Sequence, residues 1–99
     1  MKKKNGSEYK IIRAYGAGVF LARIESRKGQ EVVLRDARRL WYWAGAASLS
    51  QLAQEGTSNP SACKFPTPVD RVELLQVVEI IDLSDVAKKS IDGVPVWRQ

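Results

Sequence analysis

The feature that most restricts this chain is a run of short segments with a period of two, punctuated by glycine, between Tyr9 and Arg35. In Val19 to Glu25 (VFLARIE) the alternation puts Phe20, Ala22 and Ile24 on one face and Val19, Leu21, Arg23 and Glu25 on the other. A helix would scatter these residues around its axis, whereas a strand sorts them. Tyr9 to Tyr15 (YKIIRAY) is rich in aromatic and β-branched residues and reads as the strand before it. Gly16 and Gly18 mark a turn or bulge between the two. Ser26 to Gln30 is a hairpin loop in which Gly29 supplies a positive φ, and Glu31 to Arg35 (EVVLR) is the returning strand. These segments predict an antiparallel meander.

The remainder is more mixed. Asp36-Ala37-Arg38 reads as a break before a fourth extended piece, Arg39 to Trp43, with Leu40 and Tyr42 on one side and Arg39, Trp41 and Trp43 on the other. Ser48-Leu49-Ser50-Gln51 fits a capping box, and Gly56 suits a helix C-terminus, so a helix is expected over 48–55. Thr57 to Pro68 holds three of the four prolines and reads as an irregular crossing, with an edge strand around Ala62–Phe65. Val69 to Leu83 permits either period; its β-branched second half favours a strand over 76–82. Ser84 caps a second short helix through Ile91, with Asp85 in its first turn and Lys88 and Lys89 near its end, matching the helix dipole. Val94 to Trp97 closes the chain as an edge segment. The expectation is one small α+β domain over 8–99, with four to six mainly antiparallel strands and two short helices. Residues 1–7, carrying Lys2, Lys3 and Lys4, read as a flexible basic N-terminus.

Composition removes several chemistries. There is no histidine and one cysteine, Cys63, which excludes a Cys/His zinc site and an intrachain disulfide. Without histidine, Cys63, Ser48 and Ser50 lack the usual base partner of a nucleophile. Cys63 reads as a structural thiol and the serines as cap residues. Glu73, Glu79, Asp82 and Asp85 match no calcium-loop spacing, and Gly16-Ala17-Gly18 lacks the third glycine of a dinucleotide fingerprint. No cofactor, metal or enzymatic activity is expected. No apolar run is long enough for a membrane span, and no apolar signal core follows the basic start, so a cytoplasmic location is expected. Charge is uneven: residues 1–45 hold 11 Lys or Arg against 4 Asp or Glu, and residues 46–99 hold 5 against 7. Such a split suits an anionic partner or head-to-tail homo-oligomerisation.

One stretch carries functional chemistry. Residues 35–56 (RDARRLWYWAGAASLSQLAQEG) combine guanidinium groups, flat rings and small residues. Arg38 and Arg39 offer planar forks of donors to phosphate, and Trp41 and Trp43 offer faces on which a base stacks. The run Ala44–Ala47 allows close approach to the backbone, and Ser48, Ser50 and Gln51 at the helix start offer hydrogen bonds to an anion. Packing or a subunit interface is the structural alternative for the same rings. The expected partner is a nucleotide-like ligand, with nucleic acid or another protein as the alternative.

The segment GQEVVLRDARRLWYWAGAASLSQLAQEG (29–56), with Asn59-Pro60, Cys63-Lys64-Phe65 and the ending Val77 to Trp97, resembles a family of short uncharacterised proteins of tailed phages and prophages. The resemblance spans about 90 residues. It implies a phage accessory factor acting in the host cytoplasm, some such proteins blocking host defence by sequestering nucleotide signals or by capping a nuclease complex. It carries over no catalytic residue.

Overall fold

A computed structural model describes residues 8–99; the basic start at 1–7 lies outside the described residues. Five strands follow one another around a single sheet: β1 (Tyr9–Ala14), β2 (Gly18–Lys28), β3 (Glu31–Arg39), β4 (Val69–Leu74) and β5 (Val77–Asp82). Two helices, α1 (Leu49–Glu55) and α2 (Asp85–Asp92), and a 3₁₀ turn at Pro60–Ala62 complete it. The α+β class expected from the sequence is observed. The sheet order is β4-β3-β2-β1-β5, with every pairing antiparallel.

That order forces curvature. β4 and β5 lie on opposite edges, which a flat sheet would hold about 19 Å apart. Only Leu75 and Gln76 connect them, a reach of about 11 Å at most. The sheet therefore curls until its edges meet at this corner. Two backbone bonds pin the corner: Tyr15 N–H donates to Gln76 O (2.9 Å) and Val77 N–H to Gln30 O (3.0 Å).

Each face of the curl builds a core. Ile12, Phe20, Ala22, Val32, Leu34 and Ala37 pack inside it, joined by Leu74 and Val77 from the two edges. Outside, Ile11, Leu21 and Leu40 pack under the helices against Leu52, Phe65, Leu83, Ala87 and Ile91. The alternation in β2 sorted its faces as expected, but both faces of its first half are buried, Leu21 as fully as Phe20 and Ala22.

Three sequence expectations change. The break at Asp36–Arg38 is a bulge within one strand, which runs on to Arg39. Pairing shifts from Arg23 opposite Arg35 to Leu21 opposite Arg38, so β3 carries one extra residue. Asp36 takes φ 51°, tolerable for aspartate, and its carboxylate accepts from Arg23 Nε (3.0 Å) and Nη2 (2.7 Å). Beyond the bulge, Arg39 to Trp43 is no separate strand; it keeps one bridge, Tyr42 with Lys64. The edge strand expected near 62–65 is reduced to that bridge and to Phe65 with Val96. The strand expected over 76–82 is observed as β5, and the stretch before it, which permitted either period, is a further strand, β4, ended by the corner.

The helices follow their local signals. Ser48 Oγ accepts from Gln51 N–H (3.1 Å), and Gln51 Oε1 reaches back to Ala47 N–H (2.7 Å). Ser84 Oγ accepts from Ala87 N–H (3.0 Å) and donates to Gln54 O (2.7 Å), tying the start of α2 to the end of α1. Gly56 makes the helices' close approach necessary for glycine: a Cβ there would lie 2.3 Å from Ser90 Cβ.

Candidate functional site

The bulge decides what the two central arginines do. A one-residue slip exchanges faces, and it sends Arg38 to the helix side of the sheet. There Arg38 is 9% exposed. Its guanidinium donates to Val94 O (2.9 Å), Phe65 O (3.3 Å), Ile91 O (3.3 Å) and Pro66 O (3.4 Å), and lies 5.5 Å from the Phe65 ring centroid. Burial pushes its pKa below the usual arginine value, with nearby Asp92 opposing the shift. Arg38 is thus an internal clamp joining β3, the 65–66 segment, the end of α2 and the C-terminal segment. Its donors are spent on the chain's own carbonyls, which corrects the expectation that it meets a ligand.

Arg39 turns the other way and is exposed. Its guanidinium lies 4.4 Å from the Phe20 ring centroid, and Nη1 donates to Ala17 O. It lines an open groove of about 360 Å³ with Trp41 and Trp43, facing Gly16, Ala17, Gly18 and Val19 of the β1–β2 turn. Leu40 also lines it, and among the described residues no carboxylate does. The three residues that alternation placed on one side do share one site. Trp41 is 59% exposed; Trp43 is half-buried against the outer core.

Trp41 has a partner that spacing did not reveal. Its ring stacks on Trp97, with centroids 5.3 Å apart and planes 4° from parallel. Lys64 Nζ lies 5.6 Å from the Trp41 centroid, 5.5 Å from Trp97 and 5.9 Å from Tyr42, which is half exposed. Trp97 is brought there by the Phe65–Val96 bridge and by its N–H donating to Phe65 O (3.0 Å). The only local hint was a third tryptophan beside an arginine at the chain's end.

The helix start does not join this groove. Ser48 Oγ and the Gln51 amide are occupied by the α1 cap, Gln51 Nε2 donates to Glu55 (3.1 Å), and Ser50 is exposed elsewhere on the helix. Nor does the small-residue run admit a ligand at Gly45. The 57–59 segment fills that space: a Cβ on Gly45 would lie 2.5 Å from Asn59 N and Thr57 Oγ1. Cys63 is buried in the outer core, within 3.7 Å of Thr57 Oγ1 and Asn59 O.

Ion pairs occupy many of the chain's cations. Lys10 pairs with Asp82 (2.8 Å) and Arg13 with Glu79 (2.7 Å), so the β1–β5 pairing joins basic and acidic halves of the sequence within one chain. Arg23, Arg35, Arg71 and Lys88 also have carboxylate partners. Arg39, Lys64 and Arg98, and also Arg27, Lys28 and Lys89, have no salt bridge among the described residues.

Fold and site define a small curled-sheet domain with an open cationic–aromatic groove. The family profile described as "Domain of unknown function (DUF6948)" matches residues 7–91, and the chain belongs to that family. No curated protein and no solved structure matches it. Among the described residues no helix is long and apolar enough to cross a membrane.

Proposed function

We propose that the chain is a phage-encoded, non-enzymatic accessory protein of the host cytoplasm that counters a host anti-phage system by binding a nucleotide-like anionic ligand. The phage setting rests on the sequence resemblance. The ligand class rests on one observation: Arg39, Trp41 and Trp43 converge on an open groove that, among the described residues, no carboxylate lines. Its volume lies at the small end of the ligand-pocket range of about 300–1,000 Å³. Arg39 would meet phosphate while Trp41 offers a face to the base, worth about 1–3 kcal/mol per stacked base.

Calorimetric titration with a panel of linear and cyclic nucleotides tests this. Saturable binding should weaken about tenfold or more in Arg39→Gln and in Trp41→Ala, the loss of about 1.4 kcal/mol or more. If no nucleotide binds below high micromolar, the ligand assignment fails. A host defence protein as the partner is the remaining version of the proposal.

A further inference from the structure

Trp41 belongs to two neighbouring features. On one side it walls the groove that Arg39 enters. On the other it stacks on Trp97, beside half-exposed Tyr42, with Lys64 Nζ 5.5–5.9 Å from all three ring centroids. Each side therefore pairs a cation with aromatic rings, and the two are joined through one indole. Arg98 follows Trp97 directly and, like Arg39 and Lys64, has no carboxylate partner among the described residues.

A mononucleotide brings one base and one phosphate group and occupies only one of these pairs. A chain that alternates bases with phosphates at a regular interval matches both. We infer that the site takes phosphodiester-linked nucleotides, two or more in a single strand, with one unit in the Arg39 groove and the next against the Trp97–Tyr42–Lys64 patch. This rests on the nucleotide assignment above and narrows it. Such sites combine cations tracking the backbone with rings that accept any base, so length rather than sequence governs affinity. Counterion release adds a salt dependence: three phosphate contacts on a single strand give a slope of about −2 in log K against log salt.

The test is a length series of 5′-phosphorylated oligothymidylates of one, two, four and eight nucleotides, followed by tryptophan fluorescence and calorimetry. Affinity should rise about tenfold or more from one nucleotide to two. A plateau at two marks a dinucleotide site, and a further rise at four and eight marks a longer single strand. Trp97→Ala and Lys64→Gln, each confirmed folded by circular dichroism, should collapse that increment. An increment below twofold, or one untouched by both substitutions, overturns the two-unit site while mononucleotide binding keeps the groove assignment. Absence of binding at every length overturns both.

Discussion

Replacing Arg38 with methionine separates hydrogen bonding from volume, because methionine fills much of the same space without donors. The four carbonyls it abandons are not equivalent. Phe65 O keeps the Trp97 N–H (3.0 Å), and Ile91 O keeps the Val94 N–H (3.0 Å). Pro66 is half-buried, within reach of water. Val94 is 3% exposed, and its carbonyl loses the shortest of the four bonds, at 2.9 Å. An orphaned buried carbonyl costs about 1–3 kcal/mol, and each charge-assisted bond contributes about 1.5–3 kcal/mol before desolvation is counted. Removing the buried charge returns part of that through relief of desolvation. The net expectation is a loss of about 2–4 kcal/mol, a large share of the roughly 5–15 kcal/mol that holds a domain together. For a domain of this size it lowers Tm by about 10–25 °C. Urea denaturation followed by far-ultraviolet circular dichroism measures it. The Trp41–Trp97 stack supplies a second signal, since Trp97 hangs on the segment that Arg38 clamps; its near-ultraviolet band should diminish under native conditions. Arg38→Lys, with three donors and no planar fork, should recover only part of both. A loss under about 1 kcal/mol, with the tryptophan band intact, would refute the clamp.

Two glycines with the same φ of 79° should behave differently. Gly45→Ala drives a Cβ to 2.5 Å from Asn59 N and should cost about 2–4 kcal/mol, whereas Gly16→Ala meets nothing within 4 Å and should cost only the left-handed strain of about 1–2 kcal/mol; equal losses in urea would contradict the close approach at Gly45. At Glu25 the hydrogen bond from Arg35 holds the carboxyl below the ordinary glutamate value, against an opposing desolvation. A depressed folded pKa adds stability that is present above the unfolded value of about 4.5 and lost as pH falls through the lower folded one. The wild-type Tm should therefore fall more steeply than that of Glu25→Gln below about pH 4.5, and parallel curves would remove the pair from the acid response.

What could be read from the chain was what is encoded locally. The meander follows from alternation and glycine turns, and both helices from serine caps whose hydroxyls do accept from Gln51 and Ala87. The strand over 76–82 was legible from its β-branched residues, but that 69–74 is a separate strand was not, because Leu75 and Gln76 carry no turn chemistry of their own. Contacts with Tyr15 and Gln30, far away in sequence, make the corner. At Asp36 the irregularity was visible but its consequence was not. A break and a bulge look alike in sequence, yet only the bulge keeps the strand going with its faces exchanged. Alternation alone sets Arg38 and Arg39 on opposite faces; the exchange decides that Arg38 is the one turned to the helix side. Trp97 and Lys64 escaped notice because their relation to Trp41 exists only after the C-terminal segment bridges to Phe65.

The charge pattern shows how folding turns a diffuse property into a local one. Taken along the sequence, the excess of cations in the first half points to no particular residue. Antiparallel pairing of β1 with β5 sets Lys10 and Arg13 against Asp82 and Glu79, and the bulge buries Arg38. Among the described arginines and lysines that keep no carboxylate, which also include Lys89 on α2 and Arg98, two pairs contrast. Arg27 and Lys28 sit at the hairpin end of β2, where among the described residues neither lies over an aromatic ring. Arg39 and Lys64 lie against rings, the one on Phe20 and the other amid Trp41, Tyr42 and Trp97. An ammonium or guanidinium held over an aromatic face has already lost part of its hydration and conformational freedom, so an arriving phosphate has less of either left to remove. On the proposed reading, the surface around Trp41 is where, among the described residues, an anion that carries a flat ring would be held.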